Sequence, residues 1–132
     1  MDTITSTLNI TRSIYGVISG IKNGPDHIRR ATESLHQFAA QLEHIQHLYG
    51  QDGPHGSMEH ANLLSSVRSS VSDLNDFSLK LQKIQLVHGE NVTIKTWKRL
   101  RTVVTEKDLD NIAITIAQHR TRISLHLDII SR

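Results

Sequence analysis

The run Ile28-Arg29-Arg30-Ala31-Thr32-Glu33-Ser34-Leu35-His36-Gln37-Phe38-Ala39-Ala40-Gln41-Leu42-Glu43-His44-Ile45-Gln46-His47-Leu48-Tyr49 decides the fold. Within it Ile28, Ala31, Leu35, Phe38, Leu42, Ile45 and Tyr49 step by three and four residues without a miss. That spacing lays apolar side chains along one face of an α-helix. On its N-terminal side, Asn23-Gly24-Pro25-Asp26 closes one helix and opens the next. Glycine accepts the left-handed backbone that ends a helix, and proline is preset for a first turn.

The same period recurs outward in both directions. Upstream, a first helix carries Ile4, Leu8, Ile14, Val17, Ile18 and Ile21. Downstream, Gly50-Gln51-Asp52-Gly53-Pro54-His55-Gly56-Ser57 has the composition of a loop. Beyond it run Leu64, Val67, Val71, Leu74, Phe77, Leu81 and Ile84, with Ser57 placed as N-cap. A softer break at His88-Gly89-Glu90-Asn91 precedes a short helix marked by Trp97, Leu100, Val103 and Val104. Thr105-Glu106-Lys107-Asp108 then has the form of a capping box, with Asp in place of Glu or Gln. It opens a last stripe of Leu109, Ile112, Ile116, Ile123, Leu127 and Ile130. No segment alternates with period two, so no strand is expected. The predicted fold is all-α, an antiparallel bundle of four main helices plus a short helix before the last. The predicted spans are about 3–22, 26–49, 58–87, 95–104 and 106–130, with 1–132 forming one domain.

Composition narrows the function classes. The 132 residues are 37% hydrophobic and 21% charged, which fits one folded core. The formal charge of +2 is nearly balanced and speaks against a nucleic-acid partner, which calls for strong basic clustering. Nine histidines make the chain more positive in mild acid. The absence of cysteine excludes disulfides, thiolate metal sites and a cysteine nucleophile. Met1 to Thr7 lack the basic and continuous apolar regions of a secretory signal, and no window has the ~20 apolar residues of a spanning helix. The sequons Asn9-Ile10-Thr11 and Asn91-Val92-Thr93 therefore read as chance matches in a cytoplasmic domain.

No catalytic chemistry is legible. There is no Gly-x-Ser-x-Gly elbow, no phosphate-cradling glycine loop and no recurring Glu-x-x-His of a di-iron bundle. His44 and His47 share a helix face with His36 two turns earlier, yet no ligand set at zinc spacing accompanies them. Histidines exposed or half-buried on helices are the expectation, with no metal, no cofactor and no enzymatic activity. The serines at 65, 66, 69, 70 and 72 read as a solvated or closely packed helix face.

Two features remain. Gly16 and Gly20 stand four residues apart on one ridge of the first helix, where the only charge from Thr3 to Ile21 is Arg12. Glycine weakens a helix interior by roughly 0.8–1 kcal/mol relative to alanine, so two of them require a reason. Nestling of the first helix against its neighbours supplies one, and close helix approach in an assembled membrane state supplies another. The second feature is basic: Lys95, Lys98, Arg99, Arg101 and Lys107 crowd thirteen residues with one acid, Glu106. Such a cluster contacts anionic lipid headgroups at about 1 kcal/mol per cation, or is a solvated helix face.

The run Ile14-Tyr15-Gly16-Val17-Ile18-Ser19-Gly20-Ile21-Lys22-Asn23-Gly24-Pro25-Asp26-His27-Ile28-Arg29-Arg30, with Leu35 and Leu42, resembles the opening of fungal HeLo-like N-terminal domains. Trp97-Lys98-Arg99-Leu100, Glu106-Lys107-Asp108-Leu109, His119-Arg120 and Ile123-Ser124-Leu125-His126-Leu127 look like the closing helices of that family. The similarity covers nearly the whole chain through loose hydrophobic patterns, and the first helix is shorter and more polar than the family's. The resemblance implies a helical bundle at the head of fungal NLR-like receptors or their partners, associated with programmed cell death and heterokaryon incompatibility. It implies oligomerisation, with itself or with a homologous domain, and permeabilisation of the plasma membrane through the first helix. Ile4, Leu8, Ile14, Gly16, Val17, Ile18, Gly20 and Ile21 would form that effector helix, and the five cations an aid to lipid contact.

Overall fold

The capping box sets the start of the last helix. Thr105 N–H donates to Asp108 Oδ2 at 3.0 Å, and Asp108 N–H donates to Thr105 Oγ1 at 3.1 Å, so two amides that an α-helix leaves unpaired at its N-terminus are satisfied reciprocally. The computed structural model describes residues 3–19, 26–49, 58–88 and 104–131, with backbone only at 83–88 and 131. Among these residues there are four helices and no strand: α1 (Thr3–Ser19), α2 (Asp26–Tyr49), α3 (Met58–His88) and α4 (Glu106–Ser131). The chain is all-α in this sense. The predicted short helix over 95–104 lies outside the described residues except for Val104, which is buried. The last three residues predicted for the first helix, Gly20, Ile21 and Lys22, lie outside them too, as does Ser57.

The helices form a bundle in which α1 touches α2, α2 touches α4, α4 touches α3 and α3 touches α1, with no backbone approach across either diagonal. Side-chain pairs give the senses. Thr5 with Gln46, Arg12 with Glu43 and Tyr15 with His36 join α1 to α2 in opposite directions. Lys80 with Asp108 and Asp73 with His119 do the same for α3 and α4. By contrast, His27 with Asp110, Ser34 with the Ala113 carbonyl and Gln41 with the Arg120 carbonyl rise together along α2 and α4.

One apolar cluster fills the centre, and the stripe on α2 enters it as the spacing predicts. Ile28, Ala31, Leu35, Phe38, Leu42 and Ile45 are all buried, and Tyr49 is half-buried against them. Two stripes need correction. On α3 the inward positions are Leu63, Val67, Leu74, Phe77 and Leu81, while Leu64 and Val71 are only half-buried. Ser66 and Ser70 are buried instead, and Ser65, Ser69 and Ser72 are exposed. Ser70 donates its hydroxyl to the Val67 carbonyl at 2.6 Å, so it goes inside without stranding a polar atom, and the inward face turns toward Leu63. On α4 His119 occupies the inward step between Ile116 and Ile123, with its Nε2 at 2.9 Å from Asp73 Oδ2 of α3. Leu127 and Ile130 at the far end are half-buried.

Candidate functional site

Helix α1 carries the residues singled out from the sequence. Its inward face is Ile4, Thr7, Leu8, Thr11, Ile14 and Ile18, all buried, and Val17 packs half-buried at the edge. The two threonines explain how so polar a helix fills a core. Thr7 donates to the Thr3 carbonyl at 2.6 Å and Thr11 to the Thr7 carbonyl at 2.7 Å. Hydroxyls satisfied by their own helix need no partner from a neighbour. Polar ties from α1 to other helices lie at or near the surface. Gln46 Nε2 donates to Thr5 Oγ1 at 3.0 Å, Arg68 Nε donates to Thr3 Oγ1 at 3.3 Å, and Arg12 pairs with Glu43, both about half exposed. An exposed pair of this kind contributes at most ~1 kcal/mol. Apolar packing is therefore the dominant bond between α1 and the bundle.

Gly16 lies on the opposite, exposed face, with Asn9, Arg12, Ser13 and Ser19. A Cβ built there meets none of the described residues within 4 Å. The expectation that glycine lets α1 nestle against the bundle thus finds no support at Gly16, because no helix among the described residues approaches that side. Gly20 and Ile21 lie outside the described residues. Among the described residues, Gly16 is thus a helix-weakening residue with no packing duty.

The basic patch is only partly placed. Lys95, Lys98, Arg99 and Arg101 lie outside the described residues. Lys107 is exposed on the first turn of α4, between Glu106 and Asp108. The Thr105 backbone N–H, and after it the Lys80 ammonium at 3.1 Å, hold the Asp108 carboxyl below the ordinary carboxylate range, against an opposing push from burial.

The histidines act as helix ties. His27 on α2 sits between two carboxylates of α4, with Nδ1 at 2.6 Å from Asp110 and Nε2 at 3.4 Å from Glu106. His36, His44 and His47 are exposed, and no group of three metal-ligating side chains gathers among the described residues. Neither the His27 clamp nor the His119–Asp73 pair was legible beforehand. Both join residues far apart in the chain, and a histidine's role depends on which carboxylate the fold brings to it.

A second surface also went unread. Ile114, Leu125 and Ile129 of α4 are exposed at 58%, 59% and 45%. They stand on the side of α4 away from its core stripe, and a second stripe at helical spacing was the available signal. No helix among the described residues is long and apolar enough to cross a membrane.

The chain matches no family model, no curated protein and no solved structure. The likeness to HeLo-like domains rests on the residues quoted for it above.

Proposed function

We propose that this bundle is a cell-death effector module of the HeLo-like type, held in the cytoplasm and recruited to anionic plasma membrane on activation. In this reading α1 leaves the bundle, associates with copies of itself or with a homologous domain of an NLR-like receptor, and perturbs the bilayer. The observation that carries it is Gly16, whose small size serves no contact with the described residues. Small residues at four-residue spacing let helices touch closely in lipid, which gives Gly16 and Gly20 a use in the assembled state. The threonine hydroxyls support release, because Thr7 and Thr11 carry their hydrogen-bond partners with them. The cations at 95, 98, 99, 101 and 107 supply attraction to headgroups. The reading includes the short helix over 95–104 expected from the sequence, whereas the neighbours α2 and α4 run parallel and not antiparallel as expected.

Over its described 17 residues α1 reaches about 25 Å at 1.5 Å per residue, short of the ~30 Å hydrocarbon core. Interfacial insertion of assembled helices is therefore the mode proposed. The same shortness, with Ile4, Leu8, Ile14 and Ile18 sealed in the core, favours a second reading. There the domain is a non-enzymatic interaction module that docks on homologous domains without touching lipid. Dye release from anionic vesicles separates the two. Release by the wild-type chain supports the effector, and persistent failure to bind or leak, even as an oligomer, leaves the interaction module.

A further inference from the structure

The groove between α1 and α2 opens into a cleft of about 330 Å³, lined by Tyr15 from α1 and by Thr32, Glu33, His36 and Gln37 from α2. That volume lies at the lower end of the ~300–1,000 Å³ of small-molecule sites. The Tyr15 and His36 rings have centroids 5.5 Å apart and planes 35° from parallel, so they meet at an angle and both border the cleft. Thr32 gives its hydroxyl proton to the Ile28 carbonyl at 2.6 Å, which leaves that hydroxyl no proton for a ligand. Glu33 is exposed and supplies the one acid of the lining. Its contact with Arg29 is loose, at 3.8 Å, and Arg29 also approaches Asp26 at 4.0 Å. The cation on the preceding turn of α1, Arg12, is paired with Glu43.

We infer that this cleft is a binding site for a small quaternary ammonium group. Two aromatic rings and one carboxylate attract positive charge and repel anions. An anion would also need donors, and the Thr32 hydroxyl is already spent within its own helix. A quaternary ammonium donates no hydrogen bond, so ring faces and a single carboxylate satisfy it, whereas a primary ammonium brings three N–H groups that each need an acceptor. Free choline and the headgroup of phosphatidylcholine carry the same trimethylammonium group and present the same chemistry. Because both helices line the cleft, an occupant bridges α1 to α2 and stabilises the closed bundle by mass action. The inference stands on this cleft alone and holds whether or not α1 acts on membranes.

Titration of the full chain with choline chloride tests it, followed by NMR of the Tyr15 and His36 ring protons against a sodium chloride control. The expected result is a saturable shift of both rings with a dissociation constant of about 0.1–10 mM. Choline at ten times that constant then raises Tm by about 5 °C. Glu33→Gln, an exposed substitution, weakens binding about fivefold, and Tyr15→Leu weakens it at least as much. The uncharged isostere 3,3-dimethyl-1-butanol and the primary amine ethanolamine both bind more weakly than choline. Cosedimentation with phosphatidylcholine vesicles distinguishes the sources. Vesicle binding that Glu33→Gln reduces names the lipid headgroup, and choline binding without vesicle binding names a soluble cation. Rings that do not shift with choline up to about 100 mM overturn the inference. So does equal or tighter binding of either analogue, or an affinity for choline that Glu33→Gln leaves unchanged in a protein with native circular dichroism.

Discussion

Replacing Gly16 separates the folded bundle from the state in which its glycine is used. The position is helical and exposed, and a Cβ there meets none of the described residues within 4 Å. Gly16→Ala therefore gains helix propensity without a clash, about 0.5–1 kcal/mol. Unfolding entropy of roughly 2 cal/mol/K per residue over 132 residues converts this to a rise in Tm of about 2–4 °C. Gly16→Leu gains nearly as much, because leucine is also a good helix former and its side chain projects into open space. In the membrane assembly the sign reverses, since a leucine at a close helix crossing holds the backbones apart. The expected outcome is thus a protein that melts higher and leaks less. Thermal unfolding followed at 222 nm and dye release from anionic vesicles measure the two effects on one preparation. A lowered Tm in Gly16→Ala refutes the description of Gly16 as unpacked. Undiminished leakage by a stably folded Gly16→Leu refutes the glycine ridge as the working surface.

Phe38→Ala and Leu74→Ala should each destabilise the bundle by ~2–5 kcal/mol, as both side chains are fully buried; a denaturant midpoint shifted no further than by a surface change would contradict their place in the core. Thr105→Ala should cost ~0.5–2 kcal/mol by removing the cap of α4, read from the same unfolding curves. The Asp108 carboxyl is held below its ordinary 3.8 in the folded state, so its contribution is present above about that pH and is lost as pH falls through the lower folded value. The stability gap between wild type and Asp108→Asn should accordingly close in acid, and a gap that persists to pH 2 would remove the basis for it. Changing Lys98, Arg99 and Arg101 together to Gln should weaken binding to anionic vesicles by ~3 kcal/mol at low salt and flatten its salt dependence, measured by vesicle cosedimentation.

The all-helical character, the stripe of α2 and the cap at Thr105 were legible in the sequence because each depends on neighbours within one or two turns. Local spacing places Ile28, Leu35, Phe38 and Leu42 on one face whatever they pack against, and Thr105 finds Asp108 three residues on. Hydrophobic pattern failed where polarity misleads about direction. Thr7 and Thr11 stood outside the expected apolar stripe and the serines were open to either face, yet Ser66, Ser70, Thr7 and Thr11 are buried, three of them with hydroxyls bonded to their own helix. Only the packed structure decided that α2 lies against α4 in the same sense, that His119 meets Asp73, and that none of the described residues approaches Gly16. These are relations between segments tens of residues apart, fixed by which faces compete for one core. The exposed stripe of Ile114, Leu125 and Ile129 on α4 belongs to both levels. Its spacing is written in the sequence, but a helix can turn only one side to the core, and the tertiary structure decides which side is left to water.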